Sequence, residues 1–277
     1  MTAQTAARAA PTGTPEAPLL RTDVDAIAVL TLNRPNSRNS LSEAMLEALS
    51  NELAAIADNR RLRAVVLAAN GPAFSGGHDL KELNARRRDP DRGQAYFRHI
   101  MQACSAMMQQ VVRLPQPVIA AVQGAATAAG CQLVASCDLA VASAEAKFGV
   151  SGINAGLFCS TPMVALSRNV ARKHAMEMLL TGDLISASDA YRIGLVNRLV
   201  PAGTELDEAM ALARKIAGKS AQVVKLGKAA FYRQLEMPLE QAYRYTAEVM
   251  VDNLLARPAE EGIAAFIDRR VPNWSDD

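Results

Sequence analysis

Leu114 to Cys137 reads LPQPVIAAVQGAATAAGCQLVASC, and the fold turns on how this stretch is understood. Its twenty-four residues contain no Asp, Glu, Lys, Arg or His, in a chain that is 21% charged overall. Pro117 to Gln123 is a short apolar run rich in Val, Ile and Ala behind a proline, which reads as a buried strand. Gly124 marks a turn, and Cys131-Gln132-Leu133-Val134-Ala135 follows at helical spacing. The stretch therefore predicts a strand, a tight turn and a helix start lined with small residues. Small side chains at Gly124, Ala125, Ala126, Ala128, Ala129 and Gly130 let a ligand approach the backbone. The first turn of a helix also carries N–H groups without intrahelical partners, where negative charge is favoured. A carbonyl oxygen that gains negative charge during a reaction suits such donors. The same composition also serves close packing of a buried helix against a sheet.

On either side of this stretch the chain alternates. Ala26 to Leu32 is a strand, ended by Asn33-Arg34-Pro35-Asn36. Ser40 with Glu43 three residues on has the capping-box pattern of a helix start, continued by Leu41, Met45, Leu49, Leu53 and Ile56. Arg63 to Ala69 is the next strand, and Asn70-Gly71-Pro72 breaks it. Phe74-Ser75-Gly76-Gly77-His78-Asp79 then leads into a polar segment, 80–93, and a helix runs from about Gln94 to Arg113. Beyond Asp138 to Ala142, a short strand, Phe148 to Met163 again lacks every charge and His. Helices are expected at 161–171, 173–180 and 186–193, and Ser160 and Thr161 are positioned to cap the first of them. A strand at Leu195 to Val200 precedes helices at 204–218, 220–235, 238–256 and 258–268. This order gives an α/β core over 19–200 and a helical C-terminal region over 201–277. Residues 1–18, rich in Ala, Thr and Pro, read as a disordered tail.

Composition excludes several classes. A net charge of +2 with interspersed signs gives no case for nucleic acid. No apolar run is long enough for a membrane span. The four cysteines, at 104, 131, 137 and 159, lack metal spacing and read as buried thiols in a reducing compartment, so a cytoplasmic protein is expected. His78 and Asp79 are adjacent and have no third ligand, so no metal is expected. GxGxxG, GxxxxGK[ST] and GxSxG are all absent, so the dinucleotide, P-loop and nucleophile-elbow readings have no support.

Four ordered blocks carry a resemblance: NRPNSRNSL (33–41), FSGGHDLKEL (74–83), GAATAAGCQLVASCDLAVAS (124–143) and GLFCSTPMVALSRNV (156–170). Together they resemble the crotonase superfamily of enoyl-CoA hydratases and isomerases over roughly residues 20–274. The branch they look most like is that of the enoyl-CoA hydratase domain-containing proteins. The resemblance implies a spiral of ββα units with a helical C-terminal trimerisation part. It implies acyl-CoA thioester substrates of fatty-acid metabolism, no cofactor beyond the coenzyme A of the substrate, and homotrimers or hexamers. It implies an oxyanion hole made by two backbone N–H groups, which fall on His78 and Ala129. Arg34, Arg38 and Lys81 match positions near the CoA nucleotide. Phe266 and Arg269 match residues that reach a neighbouring subunit's CoA.

The resemblance also exposes a departure. Hydratases of this family carry two glutamates, and the matching positions here hold Gln132 and Gly152. A neutral amide does not cycle a proton at physiological pH, and glycine has no side chain. Cys131, Cys137 and Cys159 are the other titratable groups nearby, and buried structural thiols are the simpler reading. Two functions are therefore expected as alternatives: an acyl-CoA enzyme whose ordinary hydratase activity is in question, or an acyl-CoA-binding protein without catalysis.

Overall fold

A computed structural model describes residues 17–274; most of the expected tail at 1–18 lies outside them. In chain order the first elements are β1 (Leu19–Val24), β2 (Ile27–Leu32), α1 (Glu43–Asp58), β3 (Ala64–Ala69) and β4 (Ala73–Ser75). Next come α2 (Leu80–Arg86), α3 (Gln94–Arg113), β5 (Val118–Val122), β6 (Ala125–Thr127) and α4 (Ala129–Ser136). After these are β7 (Leu139–Ser143), β8 (Lys147–Gly149), α5 (Pro162–Asn169), α6 (Arg172–Thr181), β9 (Ile185–Ser186), α7 (Ala187–Arg192) and β10 (Arg198–Val200). The chain ends in α8 (Glu205–Ala217), α9 (Ala221–Gln234), α10 (Leu239–Leu255) and α11 (Arg257–Ile267).

The strands separate into two sheets. A six-stranded sheet has the order β1-β2-β3-β5-β7-β10, and a four-stranded sheet has the order β4-β6-β8-β9. Each of the pairs β3/β4, β5/β6 and β7/β8 sends its first strand to the large sheet and its second to the small one. A helix then returns the chain to the next pair, and this ββα repeat is the spiral. Successive first strands pair in parallel, as do β4, β6 and β8. Parallel pairing needs cover on both faces, which explains the near-continuous apolar runs of β3 and β5. One face packs on α1, α3 and α4 through residues such as Leu46, Met107, Val65 and Leu133. On the other, Ile27, Val66, Ile119 and Val141 meet Ala209, Met210 and Ala213 of α8.

Several expectations are corrected. β1 precedes the strand read at Ala26 to Leu32 and pairs with it antiparallel, although most of its residues, including Thr22 to Val24, are exposed. The helix read from Ser40 begins after Ser42, whose Oγ accepts from the Met45 N–H at 3.2 Å. The Ser40 hydroxyl instead donates to Asp79 at 3.0 Å. The polar segment 80–93 contains α2, capped by the Asp79 carboxylate, which accepts from the N–H groups of Lys81 and Glu82. Thr161 stands at the start of α5 without a side-chain capping bond, and the Ser160 hydroxyl donates to the Phe158 carbonyl.

One polar cluster ties the C-terminal helices to the core. Lys228 of α9 donates to Asp138 at 2.6 Å and to the carbonyls of Gln116 and Val111 at 3.1 and 3.2 Å. The Asp138 carboxylate also accepts from Tyr232 OH at 3.0 Å and from the Val118 N–H at 2.7 Å. Every donor of the ammonium has an acceptor, so its burial is compensated. Removing one partner strands the other charge in the interior. Lys228→Met is therefore expected to lower unfolding free energy by about 3 kcal/mol, measured by urea denaturation; a change near zero contradicts the assignment.

Candidate active site at the start of α4

The spiral places two strand-to-helix turns side by side. β4 runs into Gly76-Gly77-His78, and β6, its parallel neighbour, runs into Ala128 and α4. Their approach is backbone on backbone. A Cβ on Gly130 would lie 2.2 Å from the Ser75 carbonyl oxygen, and one on Gly77 would lie 3.1 Å from the Ala129 nitrogen. Neither position tolerates a side chain, and Gly77 also has φ of +84°. The Ala128 N–H donates to the Gly149 carbonyl at 2.8 Å, which fixes the entry to α4 from the third strand of the small sheet.

Ala128 carries the local strain. Its φ of 50° and ψ of −119° are unfavourable for a residue with a Cβ. This conformation turns the chain so that Ala129 opens the helix, where the first N–H groups have no intrahelical acceptor. Of the sequence-predicted pair, Ala129 lies against Gly77, the residue before His78.

The first block supports the same turn. Arg38 and Asn39 both have positive φ. Asn39 is buried, accepts from the Arg34 N–H at 2.7 Å and donates to the carbonyls of Asn70 and Ala73, both at 2.8 Å. Its own carbonyl accepts from Ser75 Oγ at 2.9 Å. Asn39 is a positioning residue that the sequence reading did not single out. The Asn at the end of a turn-forming run was its only signal. Arg34 lies 3.5 Å from Asp79, and the Arg38 carbonyl accepts from the Gly76 N–H at 2.8 Å. Lys81 sits in the first turn of α2, exposed. All three residues therefore lie along one edge of the double turn. Phe266 and Arg269 lie at the exposed end of α11, with Phe266 85% exposed, and no hydrogen bond or ion pair joins them to the first two blocks among the described residues.

The two positions where the resemblance implies glutamates differ from one another. Gln132 is 5% exposed, and its Oε1 is buried without a hydrogen-bond partner. It lines a cavity of about 710 Å³ between α3, α4, α5 and α9, together with Met108, Val112, Val164, Lys228 and Tyr232. Gly152 has no such opening. A Cβ there would lie 2.6 Å from the Leu157 carbonyl oxygen and 2.7 Å from Cys159 Sγ. The Gly152 N–H also donates to that sulfur at 3.3 Å. The glycine is thus closed over by its own loop.

Burial governs the remaining titratable groups. It pushes the Cys131 thiol up to about 12 and raises Cys137 and Cys159 as well, so these stay protonated at neutral pH. Burial also lowers the His78 pKa, and its Nε2 has no hydrogen-bond partner. The imidazole is neutral at pH 7. Among the described residues no group of His, Cys, Asp and Glu has the arrangement of a metal site, and no helix is long and apolar enough to cross a membrane.

Comparison with known proteins agrees with this fold. The enoyl-CoA hydratase/isomerase family profile matches residues 22–277, and the chain belongs to that family. Over 252 residues it is 49% identical to human "enoyl-CoA hydratase domain-containing protein 3, mitochondrial", covering 91% of this chain and 82% of that one. The Xenopus laevis protein of the same name is 48% identical over 246 residues, 89% and 82% of the two chains. A crystal structure of an enoyl-CoA hydratase from Mycobacterium smegmatis superimposes with a TM-score of 0.89 at 51% identity, covering 94% of this chain and 99% of that one. The human domain-containing protein 3 structure gives 0.88 at 49% identity, with 93% and 100% covered. The cytoplasmic expectation is corrected here: similar curated relatives from human, rat and mouse are named mitochondrial.

Two outcomes test the site's construction. Ala128→Gly relieves the strained φ and is expected to raise stability by about 1 kcal/mol net of glycine's greater unfolded-state entropy. Thermal denaturation reads this, and a loss of stability contradicts the strain. His78, whose folded pKa lies below its unfolded value, binds fewer protons folded than unfolded. Stability is therefore complete above the unfolded value near 6.5 and falls as pH drops below it. Replacing His78 by Gln should remove that component from a pH series of urea melts.

Proposed function

We propose that the chain binds an acyl-CoA thioester with its carbonyl oxygen against the N–H groups of His78 and Ala129. The observation that carries this reading is the paired glycine approach of Gly77 and Gly130, which sets two turn backbones side by side at a helix start. Such donors act on the charge that develops on the oxygen as the thioester becomes an enolate. One of them is worth about a hundredfold to a thousandfold in rate. The helix dipole of α4 acts in the same direction. In this reading Arg34, Arg38 and Lys81, beside the double turn, meet the phosphates of CoA. Phe266, exposed on α11, and Arg269, exposed just beyond its end, are available to a neighbouring subunit in a trimer or hexamer.

The proton chemistry of hydration is what this site lacks. Adding water across a conjugated double bond needs a base for the water and an acid for the α-carbon. Gln132 offers a neutral amide, Gly152 nothing, and the nearby thiols are held protonated. Reactions that fit are those in which substrate or water moves the proton after enolate stabilisation: isomerisation, thioester cleavage or decarboxylation. The second reading, an acyl-CoA-binding protein without catalysis, is favoured by the closure of Leu157 and Cys159 over Gly152. That closure leaves no room to place a second catalytic side chain there.

Crotonyl-CoA tests this directly, with loss of the conjugated thioester absorbance followed spectrophotometrically. Saturable binding with little hydration is expected, and hydration at the rate of glutamate-bearing relatives contradicts the reading. Gln132→Glu is expected to raise whatever hydration is measured by at least about tenfold. Adding Gly152→Glu is expected to destabilise the protein, because the new side chain meets Leu157 and Cys159.

A further inference from the structure

The cavity bounded by Gln132 has an electrostatic asymmetry that a purely hydrocarbon tail leaves unmatched. Ala129, Gln132 and Ser136 recur at i, i+3 and i+7, so they share one face of α4. The cavity takes in Gln132, Ala135 and Ser136. It therefore begins one helical turn, about 5 Å, beyond the Ala129 N–H. Its apolar lining comes from residues such as Met108, Val112, Leu114, Val164 and Ala165.

Its rim is cationic. The lining includes Arg113, Arg168, Lys225, Lys228 and Arg233 against one carboxylate, Glu236. Lys228 is committed to Asp138, and Arg168 lies 3.0 Å from Glu236. Among the described residues no carboxylate pairs with Arg113, Lys225 or Arg233. Arg113 donates to the Gln109 side chain at 2.9 Å, and Arg233 stacks over the Tyr245 ring at 4.5 Å. Three cations in the lining of a largely apolar cavity thus have no carboxylate partner among the described residues.

Resting on the acyl-CoA reading above, we infer that this cavity receives an acyl chain whose far end carries a carboxylate. The hydrocarbon part lies along the α4 face, and the terminal carboxylate meets Arg113, Lys225 and Arg233 at the rim. A methyl-terminated chain gains the same apolar burial but leaves the cations unmatched. The far carboxylate gains charge-assisted hydrogen bonds.

The test compares octanoyl-CoA, octanedioyl mono-CoA and free CoA by titration calorimetry. The wild type and Lys225→Glu/Arg233→Glu are titrated at low and high salt, with circular dichroism checking that the variant folds. Should it not fold, Lys225→Gln replaces it. The wild type is expected to bind the carboxylated thioester about fivefold more tightly than octanoyl-CoA. That preference shrinks with salt and disappears in the variant. Equal affinities, or a preference that survives in the variant, overturn the inference. It is also overturned if the variant weakens free CoA as much as the carboxylated thioester, because the cations then serve the nucleotide phosphates. Binding of free CoA with no gain from either acyl chain also rejects the cavity as the tail site. If no CoA compound binds, the acyl-CoA reading fails and the inference falls with it.

Discussion

The contact between the Gly130 Cα and the Ser75 carbonyl is the constraint on which the rest depends. Protein backbones approach this closely only where a Cβ is missing, and here the approach joins the end of β4 to the first turn of α4. It sets the spacing between the two sheets' connections and brings Gly77 against Ala129. It also forces Ala128 into a conformation that a residue with a Cβ resists. Asn39 and Ser75 hold the other side of this contact, and the three parallel ββα units supply its frame. Strain at one residue is held by surrounding structure that determines its position several times over, as at many binding sites.

Electrostatics then decides what the arrangement is suited to. The donors at the double turn are neutral N–H groups, and no carboxylate lines the space beyond them except Glu236 at the rim. Desolvation keeps the thiols protonated and the His78 imidazole neutral, so none of these groups is poised as a base. The buried ion pair of Lys228 with Asp138, close by, is saturated by carbonyls and a tyrosine. It anchors α9 as a wall of the cavity rather than offering a titrating group to it.

Much of this was legible in the chain. The apolar run from Pro117 predicted β5 and the start of α4, the Gly-Gly run marked the facing turn, and helical periodicity located the C-terminal helices within a residue or two. The second sheet was not legible, because β4, β6 and β8 are three residues each and β9 two, too short for a periodic pattern. The capping position was misread by two residues, since Ser40 and Ser42 both fit before Glu43 and only Asp79 decides between them. Asp138 was visible as the first charge after the apolar stretch, but its partner lies ninety residues later on α9. The cavity is likewise a product of packing among four helices distant in sequence. The closure over Gly152 depends on how the Leu157 to Cys159 loop folds back, which residue type alone does not encode.

The central claim is that two backbone N–H groups hold a thioester carbonyl. Difference infrared spectroscopy of acyl-CoA carrying a carbon-13 thioester carbonyl measures this directly. Hydrogen bonds from His78 and Ala129 weaken the carbonyl bond, so its stretching band is expected to move to lower frequency on binding. A band that stays at its solution frequency in the saturated complex contradicts the account, whatever the affinity.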